Sequence, residues 1–263
     1  IQRVYQKSNG RMRAVVLSFA GVWATDENGR YLLANPSDAN LTKVKEEIIK
    51  PLAKELSDLG DEILFVQLFN EPNAGNETFG GELIKMDAAK FYAFANEVAG
   101  IYQGIDSKHP VFLGHGPLTQ ALVNLMKQNN NMGNFDGISL NLYPNWENGR
   151  PAARVMDVDL LAAKFGAHIR LASQLSKPVA IGEFTESSFG RLGRASQARF
   201  ATNAFQALSR FMAGNKDFAD NPAYPKVVVA LVWHQRTGAA WKNVKIHPSE
   251  KDLELFDDTG RAK

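Results

Sequence analysis

The chain has 263 residues, 44% of them hydrophobic and 22% charged, with a formal net charge of +2. This is the balance of an ordinary globular protein large enough for one sizeable core, and it does not imply long-range attraction to nucleic acid or to an anionic membrane. No apolar stretch approaches the length of a membrane span, and with no cysteine there are neither disulfides nor thiolate metal sites. The first residue is Ile1 and no signal-like segment precedes it, so a processed chain or a fragment is expected.

Ile1 to Lys7 reads as the end of a helix. Arg13 to Phe19 is a strand candidate. Leu41 to Leu59 is a predicted helix, with Leu41, Val44, Ile48, Ile49, Leu52, Leu56 and Leu59 recurring at three- and four-residue steps, Asn40 as its N-cap and Gly60 as its stop. Ile63 to Phe69 is the second strand. Asp87 to Tyr102 follows as a helix that Asp87 can cap. His109 to Leu113 is the third strand, with a short helix from Leu118 to Lys127 behind it.

Phe135 to Leu142 is the fourth strand, closed by Tyr143 and Pro144. Val158 to Leu175 is a helix, Val179 to Glu183 the fifth strand, and Ser196 to Met212 a long helix with Phe200, Ala204, Leu208 and Phe211 on one face. Val227 to Trp233, rich in β-branched residues, is the sixth strand, and Ser249 to Phe256 is a last short helix. No linker interrupts this alternation of strand and helix, so residues 1–263 read as one domain built on a parallel sheet. Six strands are two short of a closed eight-fold barrel, and the expectation is that the first two are missing from this chain or replaced by other structure. An open doubly wound sheet ranks lower, because Ala20-Gly21-Val22-Trp23 lacks a G-x-G-x-x-G phosphate turn.

Two of these strands end on a glutamate. Glu71 closes the run from Ile63 to Asn70 and precedes Pro72, and Glu183 closes Pro178 to Gly182. An ionisable group at the rim of a core costs free energy unless pairing or function offsets it. Two such ends in an alternating chain suggest two carboxylates at the carboxyl face of one α/β barrel. His115 in Gly114-His115-Gly116 and His234 after Trp233 share that placement, as do Trp23, Trp146 and Glu147 in loops expected above the same face. Glu186 is the nearest rival of Glu183, but in a continued strand it faces the other way. His115 and His234 make no metal site, since no third ligand has helical or hairpin spacing to them.

Asn70-Glu71-Pro72 after a buried strand resembles the acid/base signature of retaining glycoside hydrolases built on (β/α)8 barrels, the clan that includes the cellulase and mannanase families. Ile181-Gly182-Glu183-Phe184 resembles its nucleophile strand. Leu140-Asn141-Leu142-Tyr143-Pro144 is similar to its sixth-strand segment, and Leu231-Val232-Trp233-His234 to its eighth. The resemblance runs from Arg13 to about His234. This chain departs from the pattern in two ways: an arginine usual on the second strand has no counterpart, and Asn141 stands where many members carry histidine.

The resemblance implies a (β/α)8 barrel and a double-displacement hydrolase of β-linked hexose oligo- or polysaccharides, working as a monomer without cofactor or metal, with a secreted or periplasmic location favoured. Glu71 is then the general acid and base, and Glu183 the nucleophile. In such enzymes the two carboxyls lie ~5–5.5 Å apart, one protonated and one ionised. Asn70 would reach the sugar 2-hydroxyl, Tyr143 would hydrogen-bond Glu183, and Trp233 would floor a sugar subsite. His115, His234, Asn141, Trp23 and Trp146 complete the expected substrate contacts. The alternatives are a carbohydrate-binding barrel that has lost turnover and a metal-dependent barrel hydrolase, the latter without an H-x-H cluster to support it.

Overall fold

Residues 2–10, 13–17, 24–72, 84–143, 146–147, 150–151, 157–184, 193–211 and 227–232 are described by the computed structural model of the chain. In chain order the elements are α1 (Gln2–Lys7), β1 (Ala14–Leu17), α2 (Asp38–Lys43), α3 (Lys50–Ser57), β2 (Ile63–Leu68), α4 (Ala88–Ile105), β3 (Val111–His115), α5 (Gln120–Lys127), β4 (Gly137–Asn141), β5 (Trp146–Glu147), β6 (Arg150–Pro151), α6 (Val158–Ser173), β7 (Val179–Phe184), α7 (Gly193–Ser209) and β8 (Val227–Val232). Six strands are hydrogen-bonded in the order β1-β2-β3-β4-β7-β8. The pairs β1/β2, β2/β3 and β7/β8 are parallel. The strand–helix alternation expected from the sequence is therefore the observed one.

The chain divides into two compact units, residues 1–139 with 174–178 and residues 140–173 with 179–263. In the first, β2 and β3 are almost wholly buried and, apart from Gln67 and His115, apolar on both faces. Parallel strands covered on both sides require this. Phe65 of β2 stacks on Phe112 of β3 with ring centroids 4.3 Å apart. Gly137 of β4 leaves room for that stack, since a Cβ there would collide with the Phe112 ring. Helix α4 lays Phe91, Tyr92, Phe94, Ala95, Val98, Ala99 and Tyr102 against the core, and Asp87 caps it by accepting from the Lys90 backbone N–H at 2.8 Å. In the second unit α6 packs on α7, and Gly166 admits the ring of Phe211.

The structure shifts several boundaries. The helix expected at 41–59 begins at Asp38, and its N-cap is Ser37, whose Oγ accepts from the Asn40 N–H. Asn40 lies inside the first turn and uses its side-chain amide on Asn35 O at 2.8 Å. Between α2 and α3 the helix widens into a π segment, Val44–Ile49, just before Pro51. Proline has no N–H and crowds the carbonyl one turn back, and the wider turn accommodates both. Strand β3 runs two residues later than expected, so His115 ends it rather than following it. Trp146 and Glu147 sit in a two-stranded antiparallel ribbon with Arg150 and Pro151 instead of a loop.

Candidate functional site

In the first unit the chain turns sharply where β2 ends. Phe69 and Glu71 both have left-handed backbone conformations, with φ of 60° and 45°. For a bulky residue this conformation is a genuine outlier that costs about 1–3 kcal/mol, so the surroundings must hold it. They do so from two sides. The Phe69 ring is buried edge-on against Phe91 and Phe94 of α4, with centroids 5.3 and 6.3 Å away. Its carbonyl approaches β3 so closely that a Cβ on Gly114 would collide with the oxygen and lie 2.5 Å from Gln67 Nε2. Ring and carbonyl together rotate the next residues out of the strand. Asn70 is buried, and half-buried Glu71 is followed by buried Pro72.

Beneath this turn is a buried amide pair. Gln67, with no exposed surface, donates from Nε2 to Asn70 Oδ1 at 3.0 Å and more weakly to Phe69 O at 3.5 Å. Its Oε1 has no hydrogen-bond partner among the described residues. His115, at the end of β3, is wholly buried. Its Nε2 lies 2.7 Å from Tyr92 Oη and its Nδ1 3.0 Å from Gly116 O. Burial pushes the Tyr92 hydroxyl far above the ordinary phenol range, so Tyr92 donates, Nε2 accepts and the Nδ1 hydrogen goes to the Gly116 carbonyl. Both nitrogens of His115 are thus engaged with protein, which fixes its ring at the strand end.

The second unit holds the other carboxylate. Glu183 is only 2% exposed and is the penultimate residue of β7. The Leu142 N–H donates to the Glu183 carbonyl at 2.8 Å. That backbone bond brings the residue after Leu142 level with the glutamate, and Tyr143 Oη donates to Glu183 Oε2 at 2.5 Å. A hydroxyl that donates to a carboxylate favours its charged form. Asn141, two positions earlier on β4, is wholly buried.

Of the residues expected to make a site, the structure brings Asn70 and Glu71 together in one turn, and Tyr143 and Glu183 in one hydrogen bond. Trp23, Trp233, His234 and Glu186 lie outside the described residues, as do the side chains of Trp146 and Glu147. Among the described residues no group of three or more His, Cys, Asp or Glu is placed to hold a metal. Sequence reasoning missed Gln67, which it took as one more member of an apolar run, and Gly114. A polar residue three positions before Asn70 in an otherwise apolar strand was the available signal.

No family model and no curated protein matches the sequence. Solved structures do. The GH53 catalytic domain of Ignisphaera aggregans superposes with a TM-score of 0.61 at 17% identity, covering 97% of this chain and 72% of its own. Fungal β-1,4-galactanases give 0.60 at 14%, covering 99% and 78%. The exo-β-1,4-mannosidase of Opitutaceae bacterium strain TAV5 gives 0.59 at 15%, covering 99% of this chain and 45% of its own. The fold matches part of a (β/α)8 barrel. These structures are glycoside hydrolases of the clan that the N-E-P and nucleophile motifs resemble. At such identities the likeness carries the architecture, and the chemistry rests on the residues themselves.

Proposed function

We propose that this chain is a retaining β-glycoside hydrolase, with Glu71 as general acid and base and Glu183 as nucleophile. The observation that carries the reading is the buried Glu183 carboxylate at the end of β7, held by Tyr143 at 2.5 Å. A buried carboxylate that accepts from a phenol, near the carboxyl end of a barrel strand, is placed as a nucleophile of such a barrel would be. The left-handed turn that carries Glu71 adds support, since strain of this kind collects where geometry serves chemistry.

In the first step Glu183 attacks the anomeric carbon while Glu71 gives its proton to the glycosidic oxygen. The carbon–oxygen bond breaks, the alcohol leaves, and a glycosyl ester forms on Glu183. In the second step water gives a proton to Glu71 and attacks the same carbon, releasing the sugar and the Glu183 carboxylate. Asn70 bonds the 2-hydroxyl, and Trp233, His234, Trp23, Trp146 and Asn141 are the remaining candidates for the sugar subsites; His115, wholly buried with both ring nitrogens bonded to protein, leaves that set. The similar structures are named for β-1,4-galactanase and exo-β-1,4-mannosidase activities, which favours a β-1,4-linked hexose substrate.

Kinetics on an activated aryl β-hexoside test the assignment. Glu71→Gln and Glu183→Gln should each lower kcat/KM by at least ~10²-fold, the scale of a positioned acid/base group. A parent that hydrolyses the glycoside while either variant keeps its rate contradicts the assignment. A parent that binds oligosaccharide and never turns it over points instead to a binding barrel.

A further inference from the structure

We infer that Gln67 is a positioning residue, which sets the amide of Asn70 so that its Nδ2 hydrogens, rather than its oxygen, are offered to the sugar 2-hydroxyl. The inference rests on the hydrolase reading for the identity of the sugar, and on geometry for the rest. Gln67 Nε2 donates to Asn70 Oδ1 at 3.0 Å. An amide whose oxygen is taken by a donor below must turn its NH2 to the opposite side. Without that donor the Asn70 oxygen loses the contact that holds it inward, and the amide is less strictly set toward the sugar.

Three features argue that Gln67 is there for orientation rather than for stability. Its side chain is fully buried in a strand whose other members are apolar. Its Oε1 has no hydrogen-bond partner among the described residues, and leaving a buried acceptor unmatched is unfavourable. The neighbouring strand has given up a side chain to make room, because any Cβ at Gly114 would lie 2.7 Å from Gln67 Cδ. A core selected for packing would place an apolar residue at 67 and a larger one at 114. The same cleared space receives the Phe69 carbonyl, so one gap admits both the orienting amide and the turn that bears Glu71.

The test is Gln67→Met, which keeps length and burial and removes the donor. The variant should melt at or above the parent, since an unmatched acceptor is gone. It should hydrolyse an aryl β-hexoside ~10-fold more slowly, the size of one misdirected hydrogen bond, yet hydrolyse the matching 2-deoxy glycoside within ~2-fold of the parent rate. Combined with Asn70→Ala it should add nothing to the loss from Asn70→Ala alone. Equal slowing on both glycosides, or additive losses in the double variant, overturns the inference. An arm independent of turnover is the side-chain amide resonance of Asn70. It should shift and broaden in Gln67→Met, and an unchanged resonance overturns the inference even if the protein proves to be no hydrolase.

Discussion

The two ends of strand β3 each carry a buried histidine, and they are built differently. Below the strand, His109 places Nδ1 2.7 Å from Asp106 Oδ2 and Nε2 2.9 Å from Gly60 O. Tyr102 donates to the same carboxylate oxygen at 2.8 Å, and the Lys108 N–H reaches the other at 3.2 Å. Every polar atom of this cluster's side chains has a partner, and no residue in it has a left-handed backbone. Above the strand, at His115, the adjoining turn holds two left-handed residues, a glycine that cannot accept a Cβ, and an unmatched buried amide oxygen on Gln67. The lower end ties two strand entrances together. The upper end gives up stability to hold Asn70 and Glu71 in one orientation. In a (β/α)8 barrel these are the ends that serve stability and chemistry respectively.

Variants can separate the two ends. The largest stability effect belongs below: Asp106→Ala leaves His109 buried without its carboxylate and should cost about 3 kcal/mol in urea unfolding, with kcat/KM of the folded protein within ~2-fold of the parent. A comparable loss of rate there would erase the distinction. Above, Gly114→Ala must push the Phe69 carbonyl away and should lower kcat/KM by ~10²-fold, because a displacement of about 1 Å in a positioned group has that effect. Tyr143→Phe removes the donor to Glu183 and should lower the rate by ~10-fold, with little change in melting temperature.

The smallest and most specific effect is in acid. Burial pushes the Asp106 carboxyl up, but hydrogen bonds from His109 and Tyr102 more than offset this and hold it below the ordinary aspartate value of 3.8. A carboxyl lowered by folding contributes stability above its unfolded pKa and loses it as pH falls through the folded one. The stability difference between parent and Asp106→Asn should therefore be constant from pH 7 to about 5 and shrink below about pH 4. A gap that persists to pH 2 contradicts the network as drawn.

The alternation of strand and helix was legible because apolar runs and helical periodicity are local signals. The placement of Glu71 and Glu183 at or just beyond strand ends was legible because each sits where an apolar run stops. Boundaries were less so. Asn40 looked like a cap, yet Ser37 takes that role one turn earlier, and nothing local chooses between two good cap residues. His109 looked like the start of a strand because its partners, Asp106 and Gly60, are fixed only by the fold, Gly60 from 49 positions away. The left-handed turn at Phe69 and Glu71 left no trace at all, since neither residue type favours that conformation. Tertiary packing of the Phe69 ring and the gap at Gly114 impose it. Sites built by strain are where local propensity is expected to mislead.

The central claim is that Glu183 forms a covalent bond to the sugar. Incubating the protein with a 2-deoxy-2-fluoro β-hexoside bearing a good leaving group, followed by intact mass and peptide mapping, tests it directly. One added fluoroglycosyl group on the peptide containing Glu183, absent from Glu183→Gln, is the predicted result. An adduct on a different carboxylate, or no adduct from a protein that hydrolyses the parent sugar's aryl glycoside, contradicts it.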